Sequence, residues 1–479
     1  MRPKISRREF GKRLAALASG TALLGHPQGC TSVRRALPTP EALRTKFKDL
    51  RGTLLIDEPA RQAAGSDFGL IVHRPPIAVL KPGAPQDILK MVEFANQRGI
   101  QVAMRGQGHA MFGQAQVENG VVIDSSTLNG VRMVDFRGEP AVEAEAGALW
   151  SQVLDLAYAQ NLTPPVNVDP GYLSVGGTLS TGGFGGLSWR EGFQTDHVLE
   201  LQVVTGHGQL VTCSDNHNSD LFNAALAGMG QCGIIVKAIV PLVPAPTHVR
   251  FFVLSYADLK TATTDMMALA SNGRFDHLDG RSSPLQGGGF TYNLEGGAFF
   301  NAPNAPSDVQ LLSGLRPTSQ TAKVMSYADY YRRQGPLPRA PHPWLYLCLP
   351  GSRYLEYATR VFATPAEFAH SAPRFSVWRR ASIKRPLSRV PNEDLVVRFQ
   401  CSRIPPVWAD MPSILAMNRT LYERARDLGG TRLTTAAIPF SQLDWIHHYG
   451  PAWRSFCDAK ARFDPNNVLT PGPGIFPAS

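Results

Sequence analysis

Short apolar runs alternate with polar stretches along the first third of the chain, in patterns typical of strands and of one long helix. Ile88, Leu89, Val92 and the pair Phe94-Ala95 recur at the spacing of one helix face. The apolar runs before and after them are too short for helices and read as strands. The pattern predicts a helix over 85–98 and strands over 77–80, 100–104, 121–123 and 142–146.

The same mixture of strand-like and helix-like patterns continues to the end of the chain. The residue pattern changes at one point, where the glycine-rich segments end. Three prolines between 241 and 246 mark a domain boundary. Strands and helices mixed in this way are typical of an α+β fold. The remaining segments predicted with most definition are a helix over 149–162, a strand over 199–205, a surface loop over 303–320 and a helix over 411–428.

Length, composition and charge narrow the class of protein. The chain has 479 residues, 43% of them hydrophobic and 18% charged, which is enough for two domains with substantial cores. It contains no run of 18 apolar residues, so no transmembrane helix is expected. The net charge is +10, but half of this excess lies in the first 13 residues. Because no other basic block follows, we do not expect nucleic-acid binding.

The basic start of the chain carries an export motif. Residues 6–12 read Ser-Arg-Arg-Glu-Phe-Gly-Lys, and a weakly apolar stretch over 14–25 follows them. This pattern matches the bacterial twin-arginine signal, so residues 1–30 are predicted to be a signal peptide and the protein to be periplasmic or secreted. A disordered basic tail is the alternative interpretation. Cys30 offers a lipid-attachment site, although Pro27 stands where an aliphatic residue is expected.

Three glycine-rich segments carry the candidate chemistry, at 105–114, 175–186 and 228–233. The first follows a predicted strand directly, where glycines let backbone N–H groups approach a pyrophosphate. The third satisfies the Gly-x-Gly-x-x-Gly dinucleotide fingerprint, but a helix-like run precedes it and a strand follows, the reverse of what that fingerprint requires. A Rossmann fold is therefore not expected. Taken one at a time, each segment is equally consistent with a plain turn.

Taken together and in order, these segments resemble a known family. Arg-Gly-x-Gly-His at 105–109, Val-Gly-Gly-Thr-Leu-Ser at 175–180 and Gly-Gln-x-Gly-Ile-Ile at 230–235 are similar to the FAD domain of the vanillyl-alcohol-oxidase superfamily. Within it the chain resembles the cytokinin dehydrogenases, through His-Pro-Trp-Leu at 342–345 and a closing motif spread over 444–476. The resemblance covers residues from about 70 to the end and is weakest between about 285 and 340.

The resemblance implies an α+β fold with two parts. These are a two-subdomain FAD-binding domain of the p-cresol-methylhydroxylase (PCMH) type and an α+β substrate-binding cap. The expected organisation is a signal peptide over 1–30, a linker over 31–46, the FAD-binding domain over 47–246, the cap over 247–440 and a segment over 441–479 that returns to the FAD-binding domain.

The resemblance also implies the cofactor, FAD, held in an elongated groove. His109 is expected to form one covalent bond to the 8α carbon of the flavin, and the absence of Cys from 164–176 argues against a second link. The residues expected to contact FAD are Arg105, Gly106, Gln107, Gly108, His109, Ala110, Gln114, Asp169, Ser174, Gly176, Gly177, Thr178, Ser180, Phe184 and Ile234.

Asp169 is the candidate catalytic base. It lies six residues before Val175, the spacing of the family's active-site aspartate, and Pro170 restricts it to extended backbone. The alternative interpretation is a turn, because Asp-Pro-Gly is a common turn composition.

The substrate side of the predicted site departs from the family. Trp344 is expected to wall a planar purine, whereas Tyr346 stands where relatives have a substrate-contacting asparagine. The region 327–339 has no glutamate, although plant members have one there, and Pro473 replaces a flavin-contacting glutamine. Asp279 is the expected replacement for the glutamate at the family's substrate entrance.

The implied reaction is oxidation of the secondary amine of N6-isoprenoid adenines, the cytokinins. Asp169 would accept the N6 proton while a hydride passes from carbon to flavin N5, and the imine would hydrolyse to adenine and an unsaturated aldehyde. The electron acceptor would be a quinone or a similar compound, with O2 as an alternative.

Two other functions stay open at this point. One is an oxidase of the same superfamily acting on a sugar, lactone or alcohol, and the other is a periplasmic purine-binding protein with a vestigial flavin. No metal site is expected, because His197, His207 and the His447-His448 pair lack acidic or cysteine companions at metal-binding spacing.

The export motif gives a direct test. Replacing both Arg7 and Arg8 with lysine should leave active, flavin-loaded protein in the cytoplasm, because the twin-arginine route requires the pair. Fractionation of the host followed by flavin and activity assays measures this. The same exchange at the Arg34-Arg35 pair keeps the charge and lies outside the motif, so that variant should be exported normally. Normal export of the first variant would contradict the prediction.

Overall fold

The computed structural model describes residues 37–335, 337–338, 340–406 and 408–476. The predicted signal peptide and Cys30 lie outside these residues. The helices in chain order are α1 (Pro40–Lys46), α2 (Glu58–Gly65), α3 (Pro85–Arg98), α4 (Trp150–Tyr158), α5 (Val175–Leu179), α6 (Ser188–Glu191), α7 (Ser219–Ala225), α8 (Leu259–Asn272), α9 (Asp308–Leu312), α10 (Tyr327–Tyr331), α11 (Gly351–Phe362), α12 (Met411–Asp427), α13 (Gln442–Tyr449) and α14 (Trp453–Phe463).

The strands fall into three main sheets and one short pair. They are β1 (Thr53–Leu55), β2 (Ala78–Lys81), β3 (Val102–Arg105), β4 (Val121–Asp124), β5 (Val131–Phe136), β6 (Glu139–Glu145), β7 (Leu162–Thr163), β8 (Glu200–Val204), β9 (Leu210–Cys213), β10 (Ile234–Pro241), β11 (Val243–Pro244), β12 (His248–Tyr256), β13 (His277–Pro284), β14 (Phe290–Phe300), β15 (Ser319–Ser326), β16 (Leu345–Pro350), β17 (Arg374–Arg379), β18 (Leu395–Cys401) and β19 (Thr431–Arg432). The mixture confirms the predicted α+β class.

The first sheet has the order β1-β2-β4-β3, with β2, β4 and β3 parallel and β1 antiparallel to β2. The helix α3 joins β2 to β3 and buries Ile88, Met91, Val92 and Ala95. It has Pro85 in its first turn and ends at a glycine with φ +67°, the start and stop signals that the sequence carries. The predicted bounds 85–98 are confirmed.

The second sheet is antiparallel, in the order β5-β6-β10-β8-β9. The helix α4 packs beside it and is shorter than the predicted 149–162. It ends at Tyr158, and Asn161 takes a left-handed backbone with φ +57° just after it. The next two residues form β7, which pairs with β11. Pairing with a distant strand therefore decides this boundary.

The third sheet has eight antiparallel strands in the order β15-β12-β14-β13-β17-β18-β16-β19. One face carries apolar residues such as Leu278, Phe375 and Phe399, which belong to the largest buried cluster of the protein together with residues of α8, α11 and α12. The other face carries polar side chains. The strand register places on it Arg281, Arg374, Gln400 and Tyr346, each opposite the next on a neighbouring strand. The predicted loop 303–320 is mostly exposed but contains α9 and the start of β15.

The last part of the chain packs back onto the first sheet. The backbone N–H of Val102 donates to Val468, and the N–H of Thr470 donates to Val102. Asp464, which is 1% exposed, accepts hydrogen bonds from the N–H groups of Val468 and Leu469 and holds the turn between α14 and this segment. The boundaries predicted at 246 and 440 stay predictions. Among the helices that the structure describes, none is long and apolar enough to cross a membrane.

The buried pair of Asp464 and Lys460 gives a prediction about stability. Their side chains are 0% and 7% exposed and lie 2.6 Å apart, so Asp464→Asn leaves a buried ammonium without its counterion. Loss of one partner of a buried pair costs about 3–5 kcal/mol, and we expect the melting temperature to fall by about 5 °C or more. Asp427→Asn is the matched control, since that carboxylate is 67% exposed in its pair with Arg426 and such pairs contribute about 0–1 kcal/mol. Equal melting temperatures of the two variants would contradict the prediction.

Candidate active site

A cleft of about 1010 Å³ is lined by all three glycine-rich segments and by residues near the end of the chain, Thr435 and Thr470. Twelve of the residues predicted to contact FAD line it. They are Gly106, Gln107, Gly108, His109, Ala110, Gln114, Ser174, Gly176, Gly177, Thr178, Ser180 and Ile234.

Two glycines of the first segment are needed for the shape of the cleft. A Cβ atom on Gly106 would lie 2.0 Å from Oγ of Ser174, so any larger residue would push the two walls apart. Gly108 has φ +70°, and its Cβ position lies 2.5 Å from the guanidinium of Arg105. That guanidinium donates to the carbonyl of Ala63. Arg105 therefore supports the glycine loop from behind rather than lining the cleft.

Polar atoms of the cleft wall lack partners within the described part of the chain. Oε1 of Gln114 and Oγ1 of Thr435 and of Thr470 are buried there without a hydrogen bond. A buried polar group without a partner costs about 1–3 kcal/mol. The wall is therefore suited to an elongated ligand that carries many hydrogen-bonding groups, as the dinucleotide FAD does.

His109 lies at this cleft with its ring stacked on Phe68, the centroids 3.8 Å apart. Burial, and secondly the nearby His342, lower the pKa of His109 to about 4. The imidazole is therefore neutral at physiological pH. Its Nε2 lies 3.3 Å from the hydroxyl of Tyr172. That hydroxyl also accepts the backbone N–H of Leu337.

The aromatic group beside His109 extends into the third sheet. The ring of Phe68 stacks on His342 at 4.5 Å, and Trp344 lies at its edge. Trp344 is 8% exposed and adjoins Tyr346 at 5.9 Å. Trp344 and Tyr346 were predicted from the sequence to contact substrate. His342 was recognised only as part of the motif at 342–345, without a role, and Phe68 was not predicted because it precedes the first recognisable motif.

Asp169 does not line the cleft, and its partner is a residue that the sequence analysis missed. Its Oδ2 lies 3.2 Å from Nη2 of Arg333, which follows α10. The guanidinium of Arg333 lies 4.3 Å from the ring centre of Tyr330 and also donates to the carbonyl of that residue. Burial alone would lower the pKa of Arg333, but Asp169, Tyr330 and Glu295 outweigh burial and raise it. Arg333 therefore stays protonated beside the carboxyl group of Asp169.

The other predicted residues lie on the side of the third sheet. Phe184 is not part of the cleft wall, and its ring contacts Trp378 at 5.3 Å and Tyr346 at 6.2 Å. Asp279 is 8% exposed. Its Oδ1 lies 2.7 Å from Arg398, and its Oδ2 lies 2.7 Å from Arg374. Although burial opposes them, these two arginines hold the pKa of Asp279 below its usual range.

The expected position of Asp279 at a substrate entrance therefore needs correction. An entrance carboxylate has to be exposed, whereas Asp279 is enclosed in the polar face of the sheet with both oxygens paired. Glu295 lies opposite Asp279 on the adjacent strand and pairs with Arg281 at 2.8 Å. Burial, and secondly Asp279, raise the pKa of Glu295. Glu295 was not identified from the sequence, because it lies in the region where the family resemblance is weakest.

Two family models match the chain. A model described as "FAD binding domain" matches residues 76–214, and one described as "Cytokinin dehydrogenase 1, FAD and cytokinin binding" matches residues 320–476. The first covers two of the three glycine-rich segments. The second covers the region from β15 to the closing motif, including Trp344, Tyr346 and Arg333.

Known proteins agree with these matches. An uncharacterized oxidoreductase of the fasciation locus of Rhodococcoides fascians is 34% identical over 87% of this chain and 97% of its own. Cytokinin dehydrogenase 7 of Oryza sativa subsp. japonica is 32% identical over 89% of this chain and 92% of its own, and cytokinin dehydrogenase 2 of Arabidopsis thaliana is 30% identical.

A solved structure agrees in fold. The crystal structure of 6-hydroxy-D-nicotine oxidase from Arthrobacter nicotinovorans superposes with a TM-score of 0.70 at 18% identity, over 88% of this chain and 96% of that one. It confirms the PCMH-type fold that the motifs predict. With three glycine segments around one cleft and relatives matched along nearly their whole length, the chain belongs to the cytokinin dehydrogenase family of FAD-dependent oxidoreductases.

Proposed function

We propose that the protein oxidises the secondary amine of N6-isoprenoid adenines, with FAD in the cleft and Asp169 as the base. The observation that carries the proposal is the pair of Asp169 and Arg333. It supplies a carboxylate from the segment just before α5, fixed by a cation from the segment after α10. The matched relatives named cytokinin dehydrogenases support the substrate class.

The proposed reaction needs one proton acceptor and one hydride acceptor. FAD, when bound, supplies the hydride acceptor. Asp169 would take the proton from N6 as the adjacent carbon loses its hydride, which forms a C=N bond. Arg333 contacts Oδ2, and Oδ1, which has no hydrogen-bond partner in the described part of the chain, would face the substrate. Water then adds to the imine and releases adenine and an unsaturated aldehyde.

The planar purine requires a flat aromatic surface at this position. Trp344 and Tyr346 form such a surface on the side of the third sheet, next to the Phe68 and His109 stack. Aromatic side chains bind flat rings through large contact areas and favoured offset geometry. We therefore propose that Trp344 packs against the plane of the purine, as predicted from the sequence.

We also propose that His109 forms one covalent bond to the 8α carbon of the flavin. Attack requires a neutral imidazole, and the lowered pKa of His109 supports this. If Nε2–H donates to the hydroxyl of Tyr172, the lone pair of Nδ1 is left for the bond. We further propose that a quinone or O2 reoxidises the flavin. We also propose that the protein is exported through the twin-arginine route.

Asp169→Asn tests the base. The amide keeps the shape of the side chain but cannot accept the amine proton, and loss of a general base costs about 10²–10⁴-fold in rate. We expect flavin reduction by isopentenyladenine to slow by about a hundredfold or more, measured as anaerobic single-turnover bleaching. The flavin absorption spectrum should be unchanged.

A matched control separates chemistry from loss of an ion pair. Asp276 pairs with Arg190 at 2.8 Å and is 21% exposed, against 22% for Asp169. Asp276→Asn should therefore bleach at nearly the wild-type rate. A wild-type enzyme inert to cytokinins, or an Asp169→Asn variant that bleaches as fast as wild type, would overturn the proposed mechanism.

His109→Ala tests the covalent link. Acid-precipitated wild-type protein should stay yellow and fluorescent, because its flavin is bonded to the chain, and the variant should release its FAD into the supernatant. His207→Ala is the control, because that histidine is exposed and bonds only the carbonyl of Arg462 among the described residues. A colourless wild-type pellet would rule out the link.

A further inference from the structure

A second, smaller cavity lies beside the cleft and is lined by five separate parts of the chain, at 181–193, 227, 387–389, 432–434 and 448. Its empty space is about 310 Å³, less than a third of that of the cleft. Thr181 lines both this cavity and the cleft. The remaining lining residues include the run Leu387, Ser388 and Arg389, the start of the segment after β19, and His448 on α13.

The cavity has an excess of positive charge. Arg389 and Arg432 both line it, and none of its described lining residues carries a carboxylate. Burial lowers the pKa of Arg432 to about 10, and burial and then Arg380 lower the pKa of Arg389. Arg432 is buried and Arg389 is half-buried. A guanidinium without a facing anion is costly in such surroundings, because it loses hydration.

The hydrogen bonds of these arginines leave donors over. Arg432 donates to three backbone carbonyls, and these bonds use Nε and Nη2 and leave Nη1. Arg389 makes one long bond of 3.4 Å, from Nε to the carbonyl of His448. These bonds hold the arginines in place, and no hydrogen bond is made by Nη1 of Arg432 or by the two Nη atoms of Arg389 within the described ranges.

Two neutral donors at the cavity also lack partners. Nδ1 of His448 and Oγ of Ser388 are buried with no hydrogen bond to any residue in the described ranges. His448 is 7% exposed. Burial, then Arg432 and Arg389, lower its pKa, so the ring is neutral and can donate through one N–H. Unpaired polar atoms of this kind usually face a bound water or ion.

We infer that this cavity binds one small monovalent anion of halide size, coordinated by Arg389, Arg432, His448 and Ser388. Four donors and no acceptor carboxylate favour an anion over a cation or a neutral ligand. The small size of the cavity favours a small anion over a bulky organic one. The anion would join the run at 387–389 to the segment after β19 and to α13, and it would act on stability rather than on the oxidation itself.

Halide-dependent melting tests the site in the FAD-loaded protein. We compare sodium chloride or bromide with sodium gluconate at equal ionic strength, because gluconate is too large for the cavity. A ligand that binds only the folded state raises the melting temperature as its concentration passes its dissociation constant. We expect a rise of about 2 °C or more in halide. Crystals soaked in bromide should show an anomalous peak between Arg389 and His448.

Variants assign the effect to the cavity. Arg389→Gln should abolish both the halide-dependent rise and the bromide peak, and the milder Ser388→Ala should weaken both even if the first variant folds poorly. Arg426→Gln removes the same charge from an exposed pair with Asp427 and should respond to halide like wild type. A wild-type protein that melts alike in halide and gluconate and shows no peak would overturn the inference. So would an Arg389→Gln variant that keeps the full response.

Discussion

The close approach of backbone segments on either side of the cleft is the constraint on which the rest of the structure depends. A flavin dinucleotide is long and flat, and it needs main-chain groups near it along its length. A Cβ atom on Gly106 would lie 2.0 Å from Oγ of Ser174, and one on Gly176 would lie 2.7 Å from Cβ of Ala146, so neither position admits a side chain. The first and second sheets each have their own buried apolar cluster, and the glycines line the cleft.

The third sheet turns this channel into a site with two different sides. Helices cover its apolar face. A substrate can therefore contact only its polar face and the aromatic pair of Trp344 and Tyr346. Two polar contacts join the region of the third sheet to the glycine-rich part of the chain. The backbone N–H of His342 donates to the carbonyl of Gly69, and Arg333 reaches Asp169. Both join residues that are more than 160 positions apart in the chain.

Local motifs let the sequence predict the cleft well and the other side poorly. Glycine, His109 and the Val-Gly-Gly run act through backbone shape, which short sequence segments encode, and twelve of the residues predicted from them line the cleft. The eight-stranded sheet has no comparable signal, because strand pairing between β13 and β17 or β16 and β19 depends on contacts between distant residues. The same reason hides Arg333, whose importance comes from a partner 164 positions away.

The return of the C-terminal segment has a consequence for how the cofactor is acquired. Thr470 lines the cleft and bonds to Val102 in the first sheet, and Lys460 donates to the carbonyl of Gln231 in the third glycine segment. The channel thus has its full wall only after residue 470 has left the ribosome. The complete site for FAD is therefore available only after nearly the whole chain has been translated, and a polypeptide that ends before residue 470 would lack part of its wall.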